Sequence, residues 1–202
     1  MWPMKKYFLL LALLPFSAFA FRANLTAEEL SQLKKGKEVE RVEFLKDQVF
    51  PRVTLFNIIP HTPKENMDVF TDFENHKNFI PGLKKSKIVK KKGNKTDVFF
   101  EMHMPMPVSN SEYTTRHTVT TESNDTILKW DLVKSEQVKD SKGTVMFEEY
   151  EGGKSLFTYI NHVTPKSSLA WVVKDKVVPE VKENIKVVIK HLDKTVNSKL
   201  KK

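Results

Sequence analysis

From Leu83 to Val163 the chain alternates apolar and polar residues in six segments, near 83–92, 95–104, 110–122, 126–136, 143–150 and 155–164. Side chains on a β-strand point to opposite faces in turn, so this is the pattern of half-buried strands. Gly93-Asn94, Ser123-Asn124-Asp125, Asp140-Ser141-Lys142-Gly143 and Gly152-Gly153 punctuate the segments with residues that favour turns. Short strands joined by tight turns pair with their neighbours, which predicts an antiparallel meander. One face of such a sheet needs a cover. The chain supplies it after the last segment, where Val178, Val181, Ile185, Val188, Leu192 and Val196 recur at helical spacing. Lys182, Lys186, Lys190 and Lys194 line the opposite side. The spacing predicts a helix from Val178 to Lys199, about 33 Å long, with Pro179 in its first turn.

Upstream of the meander the signals are those of an arm and two short helices. Thr26 and Glu29 form a capping box, Leu25 and Leu30 a hydrophobic staple, and Gly36 ends the helix they start. Lys37 to Leu45 and Gln48 to Ile59 read as strands, with Val53 and Leu55 facing one way and Thr54, Phe56 and Ile58 the other. Thr62-Pro63-Lys64-Glu65 is a second capping box with proline at the first helical position. Thr71-Asp72-Phe73-Glu74 repeats the pattern, which predicts another short helix. That helix stops near Pro81, because the residue before a proline avoids helical backbone angles.

Met1 to Ala20 has the layout of a secretory signal: Lys5 and Lys6, an apolar run from Tyr7 to Leu14, then Ala18-Phe19-Ala20. The apolar run falls short of the ~20 residues of a spanning helix. The expectation is an exported protein, soluble after cleavage near Ala20. A chain with no cysteine has no disulfide framework and no lipid-attachment thiol, which fits a bacterial periplasm best. The formal charge is +9, falling to +7 with the loss of Lys5 and Lys6. Such a balance favours an anionic partner, and export makes nucleic acid the wrong one. The expected division is a signal at 1–20, a helix-and-strand arm at 21–47 and one domain at 48–200.

Three stretches carry the resemblance to a known group: "RVTLFNIIPHTPKENMDVFTDFENHKNFIPGLKKSKIV" from Arg52, "TILKWDLV" from Thr126 and "KSLFTYINHV" from Lys154. Together with the final helix they resemble the START-like (SRPBCC) helix-grip superfamily, in its polyketide cyclase/dehydrase-like and coenzyme-Q-binding branch. Asp72, Phe73, Phe79 and Pro81 match that branch's aspartate, aromatic and Phe-x-Pro corner; His76-Lys77 stands where tyrosine-proline is usual. The likeness spans roughly 51–199. It implies an α+β fold: a curved antiparallel sheet wrapped around a long C-terminal helix, with two short helices after the first core strand. It also implies that the Phe79-Ile80-Pro81 corner borders an apolar cavity that takes a lipid, isoprenoid or quinone-like molecule.

The residues expected to line that cavity are Phe79 at the corner, Phe100, Met102 and Met104, then Tyr113, His117, Trp130 and Leu132, and finally Phe147 and Tyr159. Stripes of this composition fill cores as readily as they line pockets. Catalytic signals are weak: the sequence holds no Gly-x-Ser-x-Gly, His-Glu-x-x-His or phosphate-binding glycine loop, and no catalytic residue is assigned. An enzyme on this fold would draw on His117, Tyr113 and Glu101. No cofactor is expected. Met102 to Pro107, "MHMPMP", has soft donors for copper, but neighbouring strand residues face opposite ways and no metal site is assigned. Seven lysines between Lys84 and Lys95 either protect a sheet edge or, with the basic side of the last helix, meet an anionic membrane surface.

Overall fold

The computed structural model describes residues 24–104, 110–167 and 170–201. The expected signal at 1–20 and the prolines of the Met-Pro stretch lie outside the described residues.

Eight strands form one antiparallel sheet: β1 (Val39–Glu43), β2 (Arg52–Ile59), β3 (Leu83–Lys92), β4 (Lys95–Met102), β5 (Ser111–Glu122), β6 (Asp125–Ser135), β7 (Val138–Tyr150) and β8 (Lys154–Pro165). Their order across the sheet is β1-β2-β8-β7-β6-β5-β4-β3, so the meander from β3 to β8 is continuous and β2 closes against its last strand. Helix α1 (Ala27–Lys34) precedes β1; α2 (Pro63–Phe70) and a 3-10 helix (Phe73–Asn78) connect β2 to β3. Helix α3 (Ala170–Leu200) ends the chain and covers the concave face. This is the helix-grip arrangement that the resemblance implied. No helix among the described residues is long and apolar enough to cross a membrane.

Alternation along β2 divides the apolar residues as expected. Val53, Leu55 and Ile59 join the main core with Phe147, Phe157 and the α3 residues Ile185, Val188, Leu192 and Val196. Phe56 and Ile58 turn to the convex face, where Leu25 and Leu33 of the N-terminal arm cover them. Both capping boxes form at α1 and α2. Thr62→Ala should therefore cost about 1 kcal/mol, read as a lower urea midpoint at unchanged slope. The third box does not form. Asp72 caps the 3-10 helix without a side-chain hydrogen bond, Thr71 Oγ1 donates back to the Met67 carbonyl, and Glu74 turns to the Ile88 amide.

Two other expectations are corrected. Asp140–Gly143 is not a turn; it lies inside β7, and the chain reverses at Glu136-Gln137. Gly143 is there because a neighbour needs the space: a Cβ on it would lie 2.1 Å from Trp130 Cζ2 and 2.2 Å from the Ile160 carbonyl oxygen. Helix α3 starts at Ala170, so Pro179 sits in its interior rather than its first turn. The early start follows from a separate apolar cluster, in which Ala170 and Val173 pack on Phe50. At about 1.5 Å per residue the 31 residues span roughly 46 Å.

The sheet is open, and its long edge is guarded. Strand β3 pairs only with β4 and carries exposed lysines along most of its length, with register breaks between Leu83 and Lys85 and between Ile88 and Lys90. Charge and bulges both keep a second sheet from adding there.

Candidate functional site

A cavity of about 910 Å³ lies between the concave face and α3. Its walls come from nearly every element, because curvature holds the sheet away from a straight helix. Phe70, Phe73 and His76 descend from the α2 region, and Ile80, Pro81, Gly82 and Leu83 form the corner beside them. Gly82 turns that corner at φ 75°, an angle glycine adopts without strain. Strands β4 to β8 contribute Phe100, Met102, Tyr113, Thr115, His117, Trp130 and Tyr159, and α3 contributes Val173, Val177, Val181, Ile185 and Val188.

Register explains the arrangement. Thr96, His117, Trp130, Gly143, Asn161 and Val53 stand opposite one another on successive strands. The missing side chain at Gly143 lets the Trp130 indole extend over β7. Its ring centroid is 6.2 Å from His117 on one side and 5.8 Å from Tyr159 on the other. His117 is held by Phe73 at 4.6 Å and Phe100 at 6.0 Å. His76 stacks on Phe100 at 6.5 Å. Two imidazoles thus sit in an aromatic cage.

The cage is polar without being charged. His76 Nε2 lies 2.9 Å from the Phe70 carbonyl, which can only accept, so that nitrogen carries the proton. Burial pushes its pKa down. His117 Nε2 lies 2.8 Å from Thr115 Oγ1, while Nδ1 is buried without a partner. Burial, with a smaller push from His76, depresses the His117 pKa to about 3. Burial raises Tyr113 to about 12 and Tyr159 further still. At neutral pH all four rings are uncharged. Among the described residues, ionic side chains stand only where the cavity reaches the surface, at Glu136, Lys166, Glu180 and Glu183.

Seven of the ten expected lining residues are in the wall: Phe100, Met102, Met104, Tyr113, His117, Trp130 and Tyr159. Three are not. Phe79 stacks on His191 of α3 at 3.8 Å, which takes its ring out of the cavity and clamps the corner to the helix. Phe147 is fully buried between Phe157 and Phe70, beneath the cavity floor. Leu132 precedes a bulge at Val133, where the β5–β6 register slips, and it stays half-buried outside the wall. Glu101, an enzyme candidate, faces outward and pairs with Lys85 at 2.6 Å. His76 is a wall residue that no local pattern marks; its place depends on the geometry of the 3-10 helix. The exposed His103 ring lies 3.0 Å from Asn110 Oδ1.

The sequence matches the family model described as polyketide cyclase / dehydrase and lipid transport over residues 59–186. Against curated proteins it has no match. Among solved structures, a STAR-related lipid transfer protein from Xanthomonas axonopodis superposes with a TM-score of 0.68 at 16% identity, covering 77% of this chain and 93% of that one. Human StAR-related lipid transfer protein 5 gives 0.63 at 12% identity over 84% and 93% of the two chains. The Zhui aromatase/cyclase of a Streptomyces species gives 0.60 at 9% identity over 74% and 94%. At these identities the superpositions establish the fold, and the family model spans more than half of the sequence. The chain belongs to the polyketide cyclase / dehydrase and lipid transport family, whose members hold hydrophobic ligands or act as cyclases on this fold.

Proposed function

We propose that this protein is an exported carrier that shields a hydrophobic molecule, of lipid, isoprenoid or quinone type, between the sheet and α3. The observation that carries the reading is the cavity itself: about 910 Å³, walled by aromatic and aliphatic side chains, with only uncharged polar groups inside. Burial of apolar ligand surface supplies affinity at roughly 25 cal/mol per Å². The uncharged hydroxyls of Tyr113 and Tyr159 in the wall give a hydroxyl or carbonyl of the ligand places to bond, which sets orientation. A cyclase reading is weaker. A general base works best with a pKa near the ambient pH, and His117 at about 3 is a poor proton acceptor.

Delivery needs a surface to deliver to. Trp171 and Val172 are exposed at the start of α3, Lys174 sits over the Trp171 ring, and Lys166 lies on the cavity rim. Apolar side chains among lysines suit an anionic membrane surface, with the β3 lysines adding to the field.

The test is native mass spectrometry of the mature protein purified without detergent, followed by solvent extraction. A co-purifying lipid or quinone near one per chain is expected. Val181→Trp, which fills the space beside α3, should abolish that mass while the melting temperature holds or rises. Cargo retained at wild-type level in this variant would place the ligand elsewhere; a chain that is empty and refuses all three ligand classes would sink the carrier.

A further inference from the structure

A second depression, of about 700 Å³, lies on the convex face of the sheet, away from α3. Its walls carry five cationic side chains, Lys46, Arg52, Lys129, Lys139 and Lys142, against two carboxylates, Asp131 and Asp140. Asp140 is already engaged by Lys142 at 2.9 Å, and Arg52 forms an ion pair with Glu43 outside the depression. The positive excess is built by register. Lys142 stands directly opposite His162, and Asp131 opposite Lys142 on the next strand. Val53 opposite Asn161 puts Arg52 on the other side of His162. The connection before β2 roofs the site, with Thr164 Oγ1 donating to Gln48 Oε1 at 2.8 Å.

His162 is the anomaly. It is 6% exposed, and neither ring nitrogen has a hydrogen-bond partner. A buried polar group left unpaired is costly, so a ring with two such atoms gains from any partner that the side chains over it shift to admit. Burial, Lys142 and Arg52 all push its pKa down, with Asp140 opposing, so the free ring is neutral. A neutral imidazole offers one donor and one acceptor. A carboxylate at neutral pH can only accept, whereas a hydrogen phosphate both accepts and donates, as does a phosphomonoester once the site holds its second proton, which it otherwise loses at about pH 6. Its negative charge also matches the lysines.

The geometry points to a phosphoryl-binding site on the convex face, with His162 as its hydrogen-bonding centre and Lys142, Arg52 and their basic neighbours as its charge. It is independent of the cavity and does not rest on the carrier reading.

The ring nitrogens of the 15N-labelled full chain report on this directly by long-range proton–nitrogen correlation NMR. Inorganic phosphate, titrated at constant ionic strength against sodium chloride, should move the His162 signals saturably and raise its pKa, leaving His117 unmoved. Lys142→Gln, a change at an exposed side chain, should weaken the response roughly tenfold, the loss of one charge-assisted bond. Glycerol 3-phosphate and vesicles of phosphatidylcholine doped with phosphatidic acid separate the sources. Saturation by the soluble monoester assigns a free phosphate compound, and saturation by the doped vesicles alone assigns a lipid headgroup. A response equalled by chloride, unchanged in Lys142→Gln, or absent in every arm would overturn the site.

Discussion

Gly143→Ala should destabilise the protein by about 3 kcal/mol or more, lowering the melting temperature by roughly 10 °C. A new Cβ would stand 2.1 Å from Trp130 Cζ2 and 2.2 Å from the Ile160 carbonyl oxygen, far inside van der Waals contact. Only the first of these neighbours can move. Trp130 would have to leave its place between His117 and Tyr159, opening the cage and changing the cavity wall. The backbone oxygen cannot retreat without breaking the β7–β8 ladder, where Gly143 pairs with Asn161. Trp130→Ala truncates a buried ring and is costly alone, so it should cost less in the Gly143→Ala background than in the wild type, because only there does it relieve a clash. A thermal melt of Gly143→Ala within a degree of wild type would mean that the indole does not lie over β7.

Acidification should weaken the fold well before its carboxylates protonate. The folded pKa of His117 is about 3, below the ordinary 6.5, so between those values the unfolded chain binds the proton and the folded chain does not. Stability is complete above about 6.5 and falls as pH drops, by about 2 kcal/mol at pH 5 and about 4 kcal/mol near pH 3 from this one ring. His76, His162 and His191 are depressed too, and act in the same direction. The carboxylates held low by their partners, Glu29, Glu65 and Asp97, lose stability only below about 4.5. Urea midpoints at pH 7 and pH 5 separate the two groups. His117→Phe should flatten the slope between those pH values by about 2 kcal/mol; an unchanged slope would remove His117 from the titrating set.

Much of the fold was legible because a half-buried strand records its two environments in alternate residues. Strand β3 begins and ends where the alternation does, and the apolar stripe of α3 from Val178 to Val196 packs as its spacing required. Legibility failed where a residue answers to something distant in sequence. Gly143 resembles a turn residue because the indole that excludes a side chain there comes from another strand. The first turns of α3 carry no local start signal, and Pro179 marks a helix end that the packing of Val173 on Phe50 overrides. Composition located the candidate site to the level of face: Phe100, Tyr113 and Trp130 point inward as alternation demanded. It did not separate wall from floor, because Phe147 and Tyr159 share a face and differ only in depth. His76 and His162 became visible only with their surroundings.

The pairing of β2 with β8 governs when this chain can become a protein. Val53 meets Asn161 and Ile59 meets Ser155, so the first core strand waits for the last one to leave the ribosome. Contacts of such long sequence separation form late and slowly. Helix α3, which the core needs as its lid, is later still. For a chain that is exported as proposed, this order of events is an advantage: the leading end reaches the membrane pore while the sheet still lacks its closing strand, and threading needs no unfolding.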